Sequence, residues 1–238
     1  MNHPINRLVL DLSHHNTVHD FGKMAASGIA GIIHKASEGN YMTDSKYEGR
    51  RSGCEEYGIC WGAYHFATSN DPQEQALTFI EKAQPDEDTL LCLDWEPYGD
   101  KTMSKGQAKA WIQEVEGRLK RPGEVVIYSG NLAKEQLTSS DTFFGERRLW
   151  LAQYSSAPVV KPPWSKFWLW QYSDGQAGPQ PHEVPGVQSP VDCNSYDGTA
   201  TELVSEWATG TPVIKPTQET VTITVEAPPG IKVVIKGI

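Results

Sequence analysis

The chain has 238 residues, of which 38% are hydrophobic and 10% aromatic, and its formal net charge is -9 at pH 7. This composition suffices for a folded core, and the length is normal for a single α/β barrel. An acidic surface repels nucleic-acid phosphates and anionic lipid headgroups, so we expect no nucleic acid partner and no membrane insertion. Residues 1–12 lack a basic region followed by an apolar stretch, so we expect synthesis in the cytoplasm without a signal peptide.

Short apolar runs alternate with amphipathic stretches along the chain. The predicted strands are residues 8–12, 29–36, 59–67, 89–95, 125–128, 148–154, 167–172 and 191–194. The predicted helices are residues 18–27, 44–57, 72–83, 104–120, 131–138 and 198–207. Asp71 is the expected cap of the third helix, with Pro72 in its first turn, and Gly28 and Gly58 are expected to end the first two.

Strands that alternate with helices predict parallel pairing through right-handed crossovers, and eight strands are the number that closes a barrel. Helices become scarce after residue 138, where Pro-rich loops join the last three strands. The expected fold class is therefore α/β, an irregular, TIM-like, single-domain β/α barrel with helices missing late in the chain.

The composition changes after the predicted catalytic barrel, which is assigned residues 1–207. Residues 208–219 are a predicted linker, and residues 220–238 alternate apolar and polar positions around the turn Pro228-Pro229-Gly230. That alternation predicts a C-terminal β-hairpin extension. A hairpin alone is marginal in water, so we expect this tail to dock by strand addition, either on its own barrel or on a second chain to form a homo-oligomer.

Four acidic residues are predicted at one end of the barrel, where active sites of such barrels lie. Asp11 belongs to the first strand, Asp94 and Glu96 end the fourth, and Asp192 belongs to the last. Strand residues two apart point to the same face, so Asp94 and Glu96 should face the interior together. Two carboxyl groups this close raise the pKa of one of them, which can then protonate a leaving oxygen while its partner stays charged. Glycoside hydrolysis needs such a pair.

Short motifs follow one another in order along the chain. They are Asp11-x-Ser-x-x-Asn16, Lys35-x-Ser-Glu-Gly39, Gly62-Ala-Tyr-His-Phe66, Leu93-Asp-x-Glu96, Ile127-Tyr-Ser-Gly130, Leu149-Trp-Leu-Ala152, Trp170-Gln-Tyr172 and Val191-Asp192. Together they resemble glycoside hydrolase family 25, the lysozyme-type muramidases common in phage endolysins, over about residues 7–207. The chain departs from the common family pattern at Thr17, His34 and Met42, none of which is a carboxylate.

This resemblance implies a peptidoglycan hydrolase of the bacteriophage or prophage endolysin type. It would cut the β-1,4 bond between N-acetylmuramic acid and N-acetylglucosamine and would act on the cell wall after release. By the same resemblance Glu96 is the general acid/base and Asp94 the second carboxylate, either as a nucleophile or by orienting the 2-acetamido group of the sugar. Asp11 and Asp192 match the two remaining acids of the family site.

Candidate substrate-binding residues are Lys35, Tyr41, Tyr64, Tyr128, Trp150 and Trp170. Tyr64 and Tyr128 are the strongest candidates because they end predicted strands beside the acids. Core packing is the alternative role for the aromatic residues. Lys35 could pair with Glu38 or with an acid of the site, or it could contact the substrate.

A metal site is an alternative raised by four histidines at strand ends, His14, His15, His34 and His65. Metallo-hydrolase barrels need a His-x-His pair on the first strand, whereas His14 and His15 are adjacent and are expected to point apart. The four cysteines show no CxxC pair and no zinc-ligand spacing. We therefore expect neither a metal nor a cofactor.

Two other functions compete with a muramidase. Residues 93–96 look like the end of the DxxDxDxE motif of chitinase-like N-acetylglucosaminidases, but the earlier acids of that motif fall on Thr89 and Cys92. A wall-binding module without catalysis is the second alternative. Binding alone does not need a carboxyl pair with a raised pKa, so the four acids favour an enzyme.

Overall fold

The computed structural model describes residues 3–210. Its elements, in chain order, are β1 (Arg7–Leu12), α1 (Phe21–Ala26), β2 (Gly31–Glu38), β3 (Met42–Thr43), α2 (Tyr47–Glu56), β4 (Cys60–Phe66), α3 (Pro72–Ala83), β5 (Leu90–Asp94), a 3-10 turn (Gly99–Lys101), α4 (Lys105–Leu119), β6 (Val126–Ser129), α5 (Asn131–Gln136), α6 (Thr142–Gly145), β7 (Leu149–Ala152), β8 (Leu169–Ser173), β9 (Asp192–Tyr196) and α7 (Ala200–Ser205). The predicted hairpin, 220–238, and most of the predicted linker lie outside the described residues.

Eight of these strands form a closed barrel, as predicted. The sheet order is β1-β9-β8-β7-β6-β5-β4-β2-β3, and an additional pairing between β1 and β2 closes the ring. The two-residue strand β3 pairs only with the end of β2. Helices are short or missing in the second half, where residues 153–168 and 174–191 connect strands without a helix. The predicted irregular barrel is therefore confirmed.

The last barrel strand differs from the prediction of parallel pairing. β9 runs antiparallel to both of its neighbours, β1 and β8. Residues 174–191 contain no crossover helix that could return the chain to the opposite end of the barrel. As a result, β9 begins at the barrel end where β1 and β8 finish. This reversal brings Asp192, the first residue of β9, to the carboxyl ends of the parallel strands.

Local sequence signals define several helix ends. The Asp71 side chain accepts hydrogen bonds from the backbone N–H groups of Gln73 and Glu74, at 3.0 and 2.9 Å, and Pro72 follows it in the first turn, as predicted. Helix α7 begins with a capping box between Thr199 and Glu202. These caps satisfy backbone donors that the first helical turn leaves unpaired.

The barrel interior has an apolar layer below a polar layer. Because side chains on one strand alternate, an apolar residue inside the barrel is followed two positions later by a polar residue at the upper end. These pairs are Val9 and Asp11, Ile33 and Lys35, Cys92 and Asp94, Val126 and Tyr128, and Leu169 and Gln171. These five strands therefore present their polar residues at the same end of the interior.

Helix α7 closes the opposite end of the barrel. The Trp207 indole N–H, just after α7, donates to the carbonyl oxygen of Trp61 at 2.7 Å. A Cβ atom at Gly31 would lie 2.4 Å from the Trp207 ring, so glycine permits this close approach. No helix within residues 3–210 is long and apolar enough to span a bilayer.

Candidate active site

Four carboxylates surround one cavity at the polar end of the barrel. Asp11 lies near the end of β1, Asp94 is the last residue of β5, Glu96 follows two residues later, and Asp192 begins β9. The cavity has a volume of about 240 Å³. It is lined by Asp11, Ser13, His15, Lys35, Tyr64, Phe66, Asp94, Glu96, Tyr128, Trp150, Tyr154, Gln171 and Asp192.

Asp94 and Glu96 differ in depth within this cavity. Asp94 is 7% exposed, whereas Glu96 is half-buried nearer the mouth. Burial and the neighbouring Glu96 carboxylate hold the pKa of Asp94 well above its usual range, and burial followed by the charge of Asp11 raises the pKa of Glu96. The Lys35 ammonium opposes both increases. The pair therefore retains a proton at a pH where an isolated carboxyl group would have lost it.

One carboxylate oxygen of Asp94 lacks a hydrogen-bond partner among the described residues. Its Oδ1 atom is buried and accepts no hydrogen bond from any residue in the described range 3–210. A buried acceptor without a partner is costly in a folded protein. This oxygen is therefore available to a hydrogen-bond donor on a molecule that enters the cavity.

Asp11 and Asp192 form a second pair of acids. They are register partners across the antiparallel strands β1 and β9. Burial and then the Asp11 carboxylate raise the pKa of Asp192 to about 9. Burial also raises the pKa of Asp11, while hydrogen bonds from Asn194 and Gln171 oppose that increase. Asp11 and Asp192 together therefore also carry less than two full negative charges near neutral pH.

Two side-chain amides hold Asp11 in place. The Gln171 Nε2 group donates to both Asp11 oxygens, at 3.1 and 3.0 Å, and the Asn194 Nδ2 group donates to Oδ2 at 2.8 Å. The hydroxyl groups of Tyr128 and Tyr154 both donate to Gln171 Oε1, at 2.8 and 2.9 Å. Gln171 therefore links two tyrosines of the cavity wall to a buried carboxylate.

Trp150 contacts the same hydrogen-bond network through Asn194. Its indole N–H donates to Asn194 Oδ1 at 2.6 Å, and its ring packs edge-on against Tyr128 with centroids 4.7 Å apart. Trp150 lines the cavity but is only 2% exposed. Its contacts therefore fix the orientation of Asn194 more than they offer a stacking surface.

Lys35 pairs with Glu38, one of the partners considered from the sequence. Its ammonium donates to Glu38 Oε2 and lies over the Phe66 ring, 4.7 Å from the centroid. The Tyr41 hydroxyl donates to the other oxygen of Glu38 at 3.0 Å. Tyr41 is 57% exposed and lies outside the lining of the 240 Å³ cavity, whereas Tyr64 and Lys35 belong to it.

Trp170 does not reach the cavity. It is fully buried on the outer face of β8, where its indole N–H donates to the Gln153 carbonyl oxygen at 2.7 Å and its ring packs against Tyr172. The inward-facing residue of this strand is Gln171, and neighbouring strand residues face opposite sides. Trp170 therefore packs on the outer face of the barrel, and the expectation that it binds substrate is wrong.

The histidines are arranged differently from the prediction. His14 and His15 do not point apart, because they lie in a turn after β1 where strand alternation does not apply, and their ring centroids are 3.9 Å apart. His34 and His65 are fully buried, and burial lowers the pKa of each to about 4. Residues 3–210 contain no group of three or more His, Cys, Asp or Glu side chains arranged to hold a metal ion.

Sequence reasoning did not assign a role to Gln171 or Asn194, although they contact Asp11. Gln171 lies within the quoted motif of β8, and Asn194 is two residues from Asp192 on the same strand. The period of two along β9 places Asn194 on the inward face with Asp192, so this spacing was the available signal. Ser13, His15, Phe66 and Tyr154 also line the cavity.

A second hollow of about 340 Å³ adjoins this cavity and shares Ser13, His15 and Asp192 with it. It is lined by Ser13, His15, Asn16, Thr17, Asp174, Gln188, Ser189, Pro190 and Asp192. Together the two hollows make an extended polar cleft. A larger hollow of about 600 Å³ surrounds Arg148 and Trp168 at the opposite end of the barrel, away from the four carboxylates.

Comparisons with known proteins found a family and solved structures that match this chain. A sequence model of "Glycosyl hydrolases family 25" matches residues 10–180. Lysozyme M1 of Streptomyces globisporus is 28% identical over 211 residues, which are 82% of this chain and 69% of that protein. The solved structure of a bacterial lysozyme from Streptomyces coelicolor is 27% identical, with a TM-score of 0.65, and the match covers 82% of this chain and 94% of that one.

A third similar protein is the muramidase from Trichobolus zukalii. Its structure is 26% identical to this chain, with a TM-score of 0.68 over 85% of this chain and 98% of that one. The family match spans the strands that carry Asp11, Asp94 and Gln171, and the structural matches extend over most of the described barrel. The chain belongs to glycosyl hydrolases family 25.

Proposed function

We propose that this protein is a muramidase that cleaves the β-1,4 bond between N-acetylmuramic acid and N-acetylglucosamine in peptidoglycan. The observation that carries the proposal is the pair of buried Asp94 and half-buried Glu96, which faces a polar cleft and is held partly protonated by its surroundings. Relatives named lysozyme and muramidase support the choice of substrate.

Glu96 is the general acid and then the general base. Its carboxyl group lies nearer the mouth of the cleft, where it can reach the glycosidic oxygen of a bound strand. Its raised pKa favours the protonated form, which can donate a proton to the leaving oxygen. The resulting carboxylate then accepts a proton from the attacking water.

Asp94 stabilises the positive charge that develops on the sugar. Its unpartnered Oδ1 atom can accept the N–H of a 2-acetamido group and orient it for attack, or the carboxylate can attack the anomeric carbon directly. Both routes retain the configuration at that carbon. Asp11 and Asp192 keep the surroundings of the pair acidic and bind the sugar next to the cleavage point.

The cavity wall supplies the remaining substrate contacts. Tyr64 and Tyr128 provide flat rings beside the acids, which suit sugar rings, while Trp150 supports the wall from behind through Asn194. Lys35 is positioned beside the acids and limits the increase in their pKa values. Tyr41 lies at the exposed rim and would contact a more distant sugar.

The site of action follows from the substrate. We propose that the chain acts on the bacterial cell wall, and that it serves as an endolysin, a role that the family resemblance suggests. No sequence-specific contact with a nucleic acid is required for this activity. The homo-oligomer inferred from the tail sequence stays a separate prediction.

Mass spectrometry of digested peptidoglycan tests the proposal. New reducing ends on N-acetylmuramic acid are the expected result. New reducing ends on N-acetylglucosamine would instead indicate a glucosaminidase of the chitinase-like type. Binding to insoluble wall without any soluble product would indicate a wall-binding module, and the muramidase proposal would then be wrong.

A further inference from the structure

The loop between β1 and α1 separates the two hollows of the cleft. Its residues Ser13 and His15 line both hollows, and Asn16 lines the second. Within the loop, the Ser13 backbone N–H donates to Asn16 Oδ1 at 2.8 Å. The position of this loop therefore sets the width of the cleft beside Asp11 and Asp192.

Arg50 of helix α2 holds the loop from behind. Its Nη1 group donates to the Ser13 carbonyl oxygen at 2.8 Å, and its Nη2 group donates to the Asn16 carbonyl oxygen. Arg50 is only 7% exposed, and it forms no ion pair within 4.0 Å with any residue between 3 and 210. The Asp44 carboxylate acts on Arg50 through its charge alone, so hydrogen bonds to neutral acceptors set the orientation of the guanidinium.

His34 is a third hydrogen-bond acceptor for Arg50, besides the two loop carbonyl groups. His34 Nε2 lies 2.8 Å from Arg50 Nη1, and His34 Nδ1 lies 2.8 Å from the Lys35 carbonyl oxygen. A carbonyl can only accept and a guanidinium can only donate, so the ring must carry its proton on Nδ1 and be neutral. The ring is held in this orientation by stacking on Trp61, with centroids 5.6 Å apart, and by the edge contact with Tyr47.

We propose that His34 is a positioning residue for the cleft: its neutral imidazole orients Arg50, which in turn fixes the loop of residues 13–16 at the substrate. His34 touches no substrate itself, because β2 points it outward toward α2 while Lys35, the next residue, points into the cleft. The two neighbours thus act on the same cleft from opposite faces of one strand.

The chain offers a matched control for His34. His65 on β4 is equally buried, and its ring stacks on Trp111 with centroids 5.2 Å apart. It bonds to Ser37 and Gln75, at 2.9 and 3.1 Å, and not to the loop or to Arg50. Replacing either histidine by phenylalanine keeps an aromatic ring and removes both nitrogen atoms, so the two variants should lose comparable stability.

Kinetics on soluble, peptide-free glycan strands from peptidoglycan test the proposal, which rests on the proposed function. We expect His34→Phe to raise KM about tenfold, the equivalent of one lost hydrogen bond, with kcat nearly unchanged. His34→Gln retains an acceptor for Arg50 and should restore KM to within about twofold of the wild-type value. His65→Phe should leave KM unchanged even where it lowers the melting temperature.

A double-mutant cycle shows whether His34 acts through Arg50. In an Arg50→Gln background, which itself should raise KM, the His34→Phe substitution should add no further increase. A His34→Phe enzyme with wild-type KM overturns the proposal, as does a His65→Phe enzyme with an equal increase or a His34→Gln enzyme that is not rescued. If His34→Phe fails to fold, a wild-type KM for Arg50→Gln overturns it. A wild-type chain that cuts no strands refutes the proposed function instead, so the two failures are distinct.

Discussion

Asp11 and Asp192 stand directly opposite each other on antiparallel strands β1 and β9, although 181 positions separate them in the numbering of the chain. The reversal of one strand therefore adds a fourth carboxylate to a site that the parallel strands alone would build with three. It also explains the high pKa of Asp192, since that carboxyl group is buried beside a second acid.

The pKa of Asp192 predicts how stability depends on pH. Its value is about 9 in the folded chain and 3.8 in an ordinary aspartate, so the unfolded state loses its proton first as the pH rises. The folded state is consequently favoured by this group below about pH 4, and that contribution is lost progressively as the pH rises through 9. Asp192→Asn, which resembles the protonated acid, should be more stable than the wild type at pH 8 and similar at pH 4. Urea unfolding at both values checks this, with the exposed Asp88→Asn as control. Equal curves for Asp192→Asn and wild type at pH 8 would contradict it.

The coupling of Asp94 to Glu96 predicts a change in the pH profile of activity. Burial and then the Glu96 charge raise the pKa of Asp94, and an interaction between two titrating groups acts on both of them. Asp94→Asn removes a negative charge next to Glu96, so the pKa of Glu96 should fall. The alkaline limb of the activity profile should then move to lower pH, and turnover should decrease. An unchanged profile and rate would show that the two groups are not coupled.

Trp150 and Trp170 provide a paired test of the cavity wall. Trp150→Phe removes the donor to Asn194, and Trp170→Phe removes the donor to the Gln153 carbonyl group. Each substitution should destabilise the fold by about 1–3 kcal/mol, because a buried acceptor loses its partner. Only Trp150→Phe should reduce kcat/KM, by about tenfold, since Asn194 positions Asp11. A similar loss of kcat/KM in Trp170→Phe would show that Trp170 contributes to the substrate site and does not only pack.

The predicted tail can be tested by truncation. Each of the eight barrel strands pairs with two neighbours. Within residues 3–210, only the two-residue strand β3 therefore has an unpaired edge. Strand addition by residues 220–238 is thus better satisfied by the same residues of a second chain than by a closed barrel. We expect the full chain to have an oligomeric mass in light scattering and residues 1–210 to be monomeric and active on soluble glycan strands. Two monomers would refute the oligomer, and a loss of binding to insoluble wall alone would favour a wall-binding tail.

The sequence predicted the barrel and its acids because both depend on short-range patterns. Apolar runs marked all eight strands. Asp94 and Glu96 line one cavity, but β5 ends at Asp94, so the spacing of two on a strand does not account for Glu96. The direction of β9 was not predictable in this way, because it depends on the path of residues 174–191 rather than on the strand itself. The strand pattern alone would have left Asp192 at the wrong end of the barrel.

Two errors at the side-chain level have a similar origin. Both faces of a barrel strand are buried, so hydrophobicity cannot show whether Trp170 or Gln171 faces inward. His14 and His15 were treated as strand residues, whereas they lie in a turn. The amides that hold Asp11 were overlooked because uncharged polar residues give no distinct signal until a buried charge is placed beside them.

We propose that Glu96 delivers the proton in glycan cleavage. This role is tested most directly by the rate at which the wild type and Glu96→Gln release new reducing ends from purified peptidoglycan. Glutamine keeps the shape of the side chain but cannot deliver a proton, so the rate should fall by roughly 100-fold or more. The melting temperature should change little, and Glu87→Gln at an exposed position should behave as the wild type. A Glu96→Gln protein with a rate close to that of the wild type would contradict the claim.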